Sequence, residues 1–133
     1  MKKPIKQKGF TLTEIMIVVT LIGIITAIAV PQYKNSVRKG RRSDAQQLLL
    51  DISSKQEQYI LDARTYVNNA STLGISKDGW TCTTGCSNPF YTVAVTFNMG
   101  PPPRYTIKAT AIGDQTPDGD LILQSDGTRT GNW

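Results

Sequence analysis

The sequence predicts an α+β fold in which one long N-terminal helix packs on a small antiparallel β-sheet. The helix has a transmembrane half and an amphipathic half. Three observations carry that reading. Residues 10–30 form an apolar run with a single charge. Residues 45–63 repeat apolar side chains at helical spacing. Beyond Phe90 the period drops to two, the spacing of half-buried strands.

The apolar run comes first. Between Lys8 and Lys34 the only charged residue is Glu14. The 21 residues from Phe10 to Val30 span about 32 Å as a helix at ~1.5 Å per residue. That crosses a hydrocarbon layer of ~30 Å. A carboxylate costs up to ~2.5–3.5 kcal/mol at the bilayer centre. A plain anchor would carry Leu or Val there, so Glu14 calls for a partner. Gly23 and Pro31 are the expected helix break: Gly weakens helix by backbone entropy, and Pro removes a donor and crowds the preceding turn. Thr20 and Thr26 can bond back to the backbone inside the span.

From Gln32 to about Ala63 the helix is expected to continue. Ala45, Leu48, Leu49, Ile52, Gln56, Tyr59, Ile60 and Ala63 form one stripe with a single polar exception, suited to packing on a sheet. Gly40 costs about 1 kcal/mol relative to Ala. Ser43 with Gln46 could cap a fresh start, although one bent helix of more than fifty residues is the favoured reading.

Residues 64–89 read as a loop region, punctuated by Asn68-Asn69, Gly74, Asp78-Gly79, Gly85 and Asn88-Pro89. Cys82 and Cys86, in CTTGC, supply a disulfide staple; a ring of five gains only about 2 kcal/mol in the chain-entropy model, so it fixes a local turn. Two thiols and no histidine argue against a metal site, and no cofactor is expected.

The sheet is expected over residues 90–133. Tyr91, Val93, Val95 and Phe97 alternate with Thr92, Ala94 and Thr96, and Tyr105, Ile107, Ala109 and Ala111 repeat the pattern. Residues 98–103 link these as a hairpin. Gly113 to Gly119 makes a second turn, followed by a short strand over Leu121 to Gln124. Ser125-Asp126-Gly127 makes a third turn, before a fourth strand in the tail.

Charge narrows the function classes. The chain has 133 residues and a formal charge of +5. Four of the lysines precede Gly9, and five bases cluster as Lys34, Arg38, Lys39, Arg41 and Arg42. From Ser43 to Trp133 six basic residues face nine acidic ones, a net of −3, which argues against a broad phosphate-binding face. Without histidine, catalysis would need clustered carboxylates or an activated thiol. Asp114, Asp118, Asp120 and Asp126 cluster but lack the Asp-x-Asp-x-Asp-Gly spacing of a calcium loop. No catalytic residue and no enzyme is expected. The basic run at 34–42 reads either as a contact for lipid head groups or neighbouring acids, or as a solvated collar.

Met1 to Gly9 is basic, and a secretory signal would place its cleavage site after the apolar segment rather than before it. Lys8-Gly9-Phe10-Thr11-Leu12 with Glu14 resembles the leader of the type IV pilin family. RRSDAQ at 41–46 and QEQYILDARTYV at 56–67 look like the helix and exit turn of PilE-type minor pilins. The resemblance implies a leader over 1–9, cleavage after Gly9 by a prepilin peptidase and N-methylation of Phe10. It implies a membrane and filament-core helix over 10–31 and a periplasmic globular domain over 32–133. Glu14 would meet the Phe10 amine of a neighbour in the filament. Many relatives carry a glycine and a proline where Gly23 and Pro31 stand, and the segment between them loosens on assembly. The five bases after the span compete with the leader lysines for orientation, so topology rests on the leader and on a cysteine pair suited to an oxidising compartment.

The expected function is thus a structural, minor pilin of a type IV pilus for twitching motility or adhesion. The expected partners are other pilin subunits, the peptidase and the inner membrane, with nucleic acid not expected. A pseudopilin of a type II secretion system and a DNA-uptake pilin are the alternatives. Relatives often bridge the sheet to a C-terminal cysteine; this sequence ends TRTGNW and keeps both thiols before Phe90.

Overall fold

The structure, a computed structural model, describes residues 9–133. The expected leader, apart from Gly9, lies outside the described residues. The element order is α1 (Leu12–Ala63), β1 (Thr81–Cys82), β2 (Cys86–Ser87), β3 (Tyr91–Asn98), β4 (Arg104–Ala111), a 3-10 helix (Gly113–Asp118), β5 (Leu121–Gln124) and β6 (Arg129–Thr130). The chain forms two compact units, the first ending at Val37 and the second running from Arg38 to Trp133.

In the first unit the apolar side chains from Phe10 to Val30 are exposed. Among the described residues α1 is the one helix long and apolar enough to cross a membrane. Its hydroxyls are satisfied locally: Thr20 Oγ1 donates to the Met16 carbonyl at 2.8 Å and Thr26 Oγ1 to the Ile22 carbonyl at 2.7 Å. α1 runs helical through both Gly23 and Pro31. Pro31 withholds one donor, and the other i to i−4 bonds around it carry the helix past.

In the second unit Ala45, Leu48, Leu49, Ile52 and Gln56 are buried, with Tyr59 and Ile60 partly so. Ala63, placed in the same stripe by its spacing, is exposed. The helix ends at Arg64, a non-glycine residue at φ 56°, whose N–H donates to the Ile60 carbonyl at 2.9 Å. The chain after the helix is pinned back onto it twice. Gln56 donates Nε2 to the Val67 carbonyl and accepts the Val67 N–H at 3.1 Å, so its amide mimics a strand partner. Asp44 forms an ion pair with Lys77 at 2.8 Å and accepts the Trp80 indole N–H at 2.7 Å.

All six strands form one antiparallel sheet in chain order. β3 and β4 pair along their whole length, from Tyr91 opposite Ala111 to Asn98 opposite Arg104. Alternation decides the faces. Tyr91, Val93 and Val95 with Tyr105, Ile107 and Ala109 turn inward, and Leu121 and Leu123 of β5 extend the same core. Two expectations need correction. Phe97 shares the inward register but stays 39% exposed. The cysteines do not precede the sheet: they lie in its first two strands, which are too short for a period of two to reveal.

Candidate functional site

The N-terminus of α1 presents Phe10 and Glu14. Gly9 has open space where a Cβ would stand, and Phe10 is 85% exposed. Thr11 is the last residue before the helix and Glu14 the third within it, the positions of a reciprocal cap. Both the N–H and the hydroxyl of Thr11 donate to Glu14 Oε2 at 3.0 Å, and the Glu14 N–H donates to Thr11 Oγ1 at 3.2 Å. The partner that Glu14 calls for is therefore present within one subunit, and it is a threonine. Sequence reasoning missed this role, although T-x-x-E at 11–14 is the signal that announces it.

The structure does not bring the sequence-predicted site residues together. Glu14 and Phe10 lie at the helix start, Gly23 and Pro31 lie within the helix, and Cys82 and Cys86 form a disulfide in the sheet.

A second cluster joins the basic end of the amphipathic helix to the sheet. Arg38 Nε donates to the Asp114 carbonyl at 3.1 Å. Arg41 lies 3.7 Å from the centroid of the Phe90 ring. Arg42 Nε meets Asp118 Oδ2 at 3.3 Å, and its Nη1 donates to the Asn132 carbonyl at 3.4 Å. Three of the five bases in the run are thus engaged within the domain, and the picture of a uniformly solvated collar does not hold.

Behind the arginines lies a buried polar knot. Tyr91 Oη donates to Asp118 Oδ2 at 3.1 Å. Fully buried Gln115 has its Nε2 within reach of the Arg38 carbonyl, Tyr91 Oη and Asp118 Oδ2, at 3.0 to 3.1 Å. Two hydrogens serve at most two of those acceptors at a time. Burial pushes the Tyr91 phenol up to about 12, with the Asp118 carboxylate adding to the rise. The knot's donors are taken up among Arg38, Tyr91 and Asp118, whereas the buried Gln115 Oε1 has no hydrogen-bond partner among the described residues. Among the described residues no cluster of three metal-ligating side chains occurs.

Comparison with known proteins agrees with this geometry. Residues 5–30 match the prokaryotic N-terminal methylation motif, and residues 31–120 match the family described as "Type IV minor pilin ComP, DNA uptake sequence receptor". A fimbrial protein of Pseudomonas aeruginosa is 40% identical over 65 residues, covering 49% of this chain and 42% of that protein. The type IV major fimbrial protein FimA of Dichelobacter nodosus is 43% identical over 58 residues, covering 44% and 37%. A fimbrial protein of Neisseria meningitidis is 34% identical over 70 residues, covering 53% and 41%. The chain thus spans less than half the length of these curated relatives. An N-terminal methylation motif, a long apolar helix headed by a capped glutamate and, later in the sequence, an antiparallel sheet occur here in one chain, and the chain belongs to the type IV pilin family.

Proposed function

We propose that this protein is a minor pilin, held in the inner membrane by residues 10–31 with its domain outside, then drawn into a type IV pilus. Members of the family are structural subunits and not enzymes. In this reading a prepilin peptidase cuts after Gly9, Phe10 is N-methylated, and other pilins are the partners. One observation carries the assembly role: Glu14 heads an exposed apolar helix and, among the described residues, is held by Thr11 alone. Exchanging that cap for a neighbour's Phe10 amine keeps the carboxylate satisfied in a low-dielectric bundle and sets the register.

Glu14→Ala tests it. Leader cleavage, read by intact mass, and membrane recovery are expected to match wild type, whereas recovery in sheared pili falls at least several-fold. Equal recovery in pili would sink the register role. A mature chain that still begins at Met1 would remove the processing step. Deleting the gene separates a pilin, whose loss removes surface pili, from a secretion pseudopilin, whose loss removes exoprotein export alone.

The match over residues 31–120 supports a second reading, a pilin that binds DNA during uptake. The acidic balance of residues 43–133 weighs against broad phosphate contact, so any such binding would rest on a few exposed bases such as Arg64 and Arg104. Full-length protein in detergent micelles decides it. Duplex binding that weakens steeply with salt supports this reading, and no binding at low salt removes it.

A further inference from the structure

We propose that the Cys82–Cys86 disulfide is a redox-sensitive clasp on the loop that follows α1. Closed, it holds residues 69–75 against the tip of the β1–β2 hairpin. Opened by a dithiol reductant, it frees that loop and leaves the β3–β5 sheet in place.

The hydrogen bonding isolates the contact. Cys82 stands directly opposite Cys86, and Thr83, Thr84 and Gly85 form the tip between them. The Thr84 carbonyl accepts the Ala70 N–H at 3.0 Å, and the Thr83 carbonyl accepts the Ser71 N–H at 2.9 Å. Two consecutive carbonyls of the ring thus hold two consecutive amides of the loop. Beyond them the loop bonds to itself, from Gly74 N–H to the Ser71 carbonyl and from Ile75 N–H to the Ala70 carbonyl. Its outer limits are fixed elsewhere, by Gln56 at Val67 and by Asp44 at Lys77, so a released segment stays bounded by those anchors.

The hairpin cannot keep this arrangement by pairing alone. β1 has two residues and pairs only with β2, itself two residues long. Such a ribbon is marginal without further support. β2 retains a second neighbour through Cys86 opposite Val93 and Ser87 opposite Thr92, whereas β1 has the disulfide. β3 and β4 share eight paired positions and need no crosslink.

The two sulfurs differ in access. Cys86 is 1% exposed, and Cys82 is half-buried. A thiolate of the reductant attacks Cys82 Sγ, breaking the S–S bond, and Cys86 leaves and takes up a proton. The reductant's second thiol then attacks the mixed disulfide and releases Cys82 as a thiol. Two electrons and two protons pass to the protein, and the dithiol becomes its own disulfide. In the reverse direction, oxidation after export is the step that fixes the loop's exposed face, where Ser71, Thr72, Thr83 and Thr84 stand together.

Amide hydrogen exchange on the full chain in detergent micelles tests the clasp. It compares oxidised protein, protein treated with dithiothreitol, and Cys82→Ser, which leaves the buried Cys86 in place. Ala70 and Ser71 are expected to exchange about thirty-fold faster in both opened forms, the ratio the chain-entropy model gives for a ring of five. Ala94 and Lys108, paired across β3 and β4, are expected to keep their protection. Unchanged exchange at Ala70 and Ser71 would overturn the proposal. Protection lost equally across β3 and β4 would overturn it too, because the disulfide would then support the whole domain.

Discussion

Tyr91 and Tyr105 share one property in the core: burial pushes each phenol up to about 12. Ser53 bonds the Tyr105 hydroxyl at 2.8 Å, and Glu57 and Tyr66 add to the rise. An unfolded tyrosine titrates near ~10. Both residues therefore contribute full stability below about pH 10, and that contribution is lost as the pH climbs toward about 12. Urea unfolding of the full chain is expected to show a flat midpoint from pH 7 to 9.5 and a steep fall above it. Tyr91→Phe should flatten part of that fall while losing about 1 kcal/mol at neutral pH with the bond to Asp118. A midpoint indifferent to alkali would contradict the burial of both phenols. At this scale the sequence was uneven as a guide. Gln56 showed itself as the one polar member of an apolar stripe, yet its task was hidden because its partner is the backbone of Val67, eleven positions on. Thr11 was legible by spacing, since a reciprocal cap needs only four consecutive residues.

Elements were legible where their period had room to repeat. β3 and β4 each offer eight residues of alternation, and the stripe on α1 runs through Gln56 before burial fades at Tyr59 and Ile60. β1, β2 and β6 offer two residues each, which no period can mark. Close approach holds the last of them. Gly131 follows β6 at φ 100°, and a Cβ there would overlap the Asp120 carbonyl. Asn132 then donates to the Asp118 carbonyl and accepts from Gln46 at 3.1 Å, tying the tail to the helix. Gly131→Ala must move the tail or strain the backbone, a cost of about 1–3 kcal/mol. The expected result is a lower Tm with faster amide exchange at Ile122, which pairs with Thr130 of β6, and at Gln124, whose N–H donates to the Thr128 carbonyl, and unchanged exchange in the middle of β3. A Tm equal to wild type would show that the tail takes no part in holding the domain.

Charge acts on the whole molecule, and here the sequence disclosed the count but not the pairing. The net of −3 beyond Ser43 follows from composition. The engagement of Arg38, Arg41 and Arg42 does not, because Asp114, for example, lies 76 residues from Arg38. The basic run divides accordingly into arginines that lock the helix to the sheet and lysines, Lys34 and Lys39, that stay exposed. Arg42→Ala leaves the Asp118 carboxylate, 9% exposed, without its cation. Breaking a fully buried pair costs roughly 3–5 kcal/mol, and the partial exposure of Arg42 lowers the expectation to about 1–3 kcal/mol. Arg42→Lys should recover part of the loss, as it restores the charge but not the fork that also reaches Asn132. Lys39→Ala should move stability by less than about 0.5 kcal/mol. Assembly separates the two classes again. If the outward lysines meet acidic groups of neighbouring subunits, replacing Lys34 and Lys39 together lowers recovery in sheared pili with Tm unchanged, whereas Arg42→Ala lowers both. Thermal melting in micelles alongside pilus recovery reads the difference. An Arg42→Ala protein as stable as wild type would refute the lock, and full pilus recovery of the double lysine variant would leave the collar no outward partner.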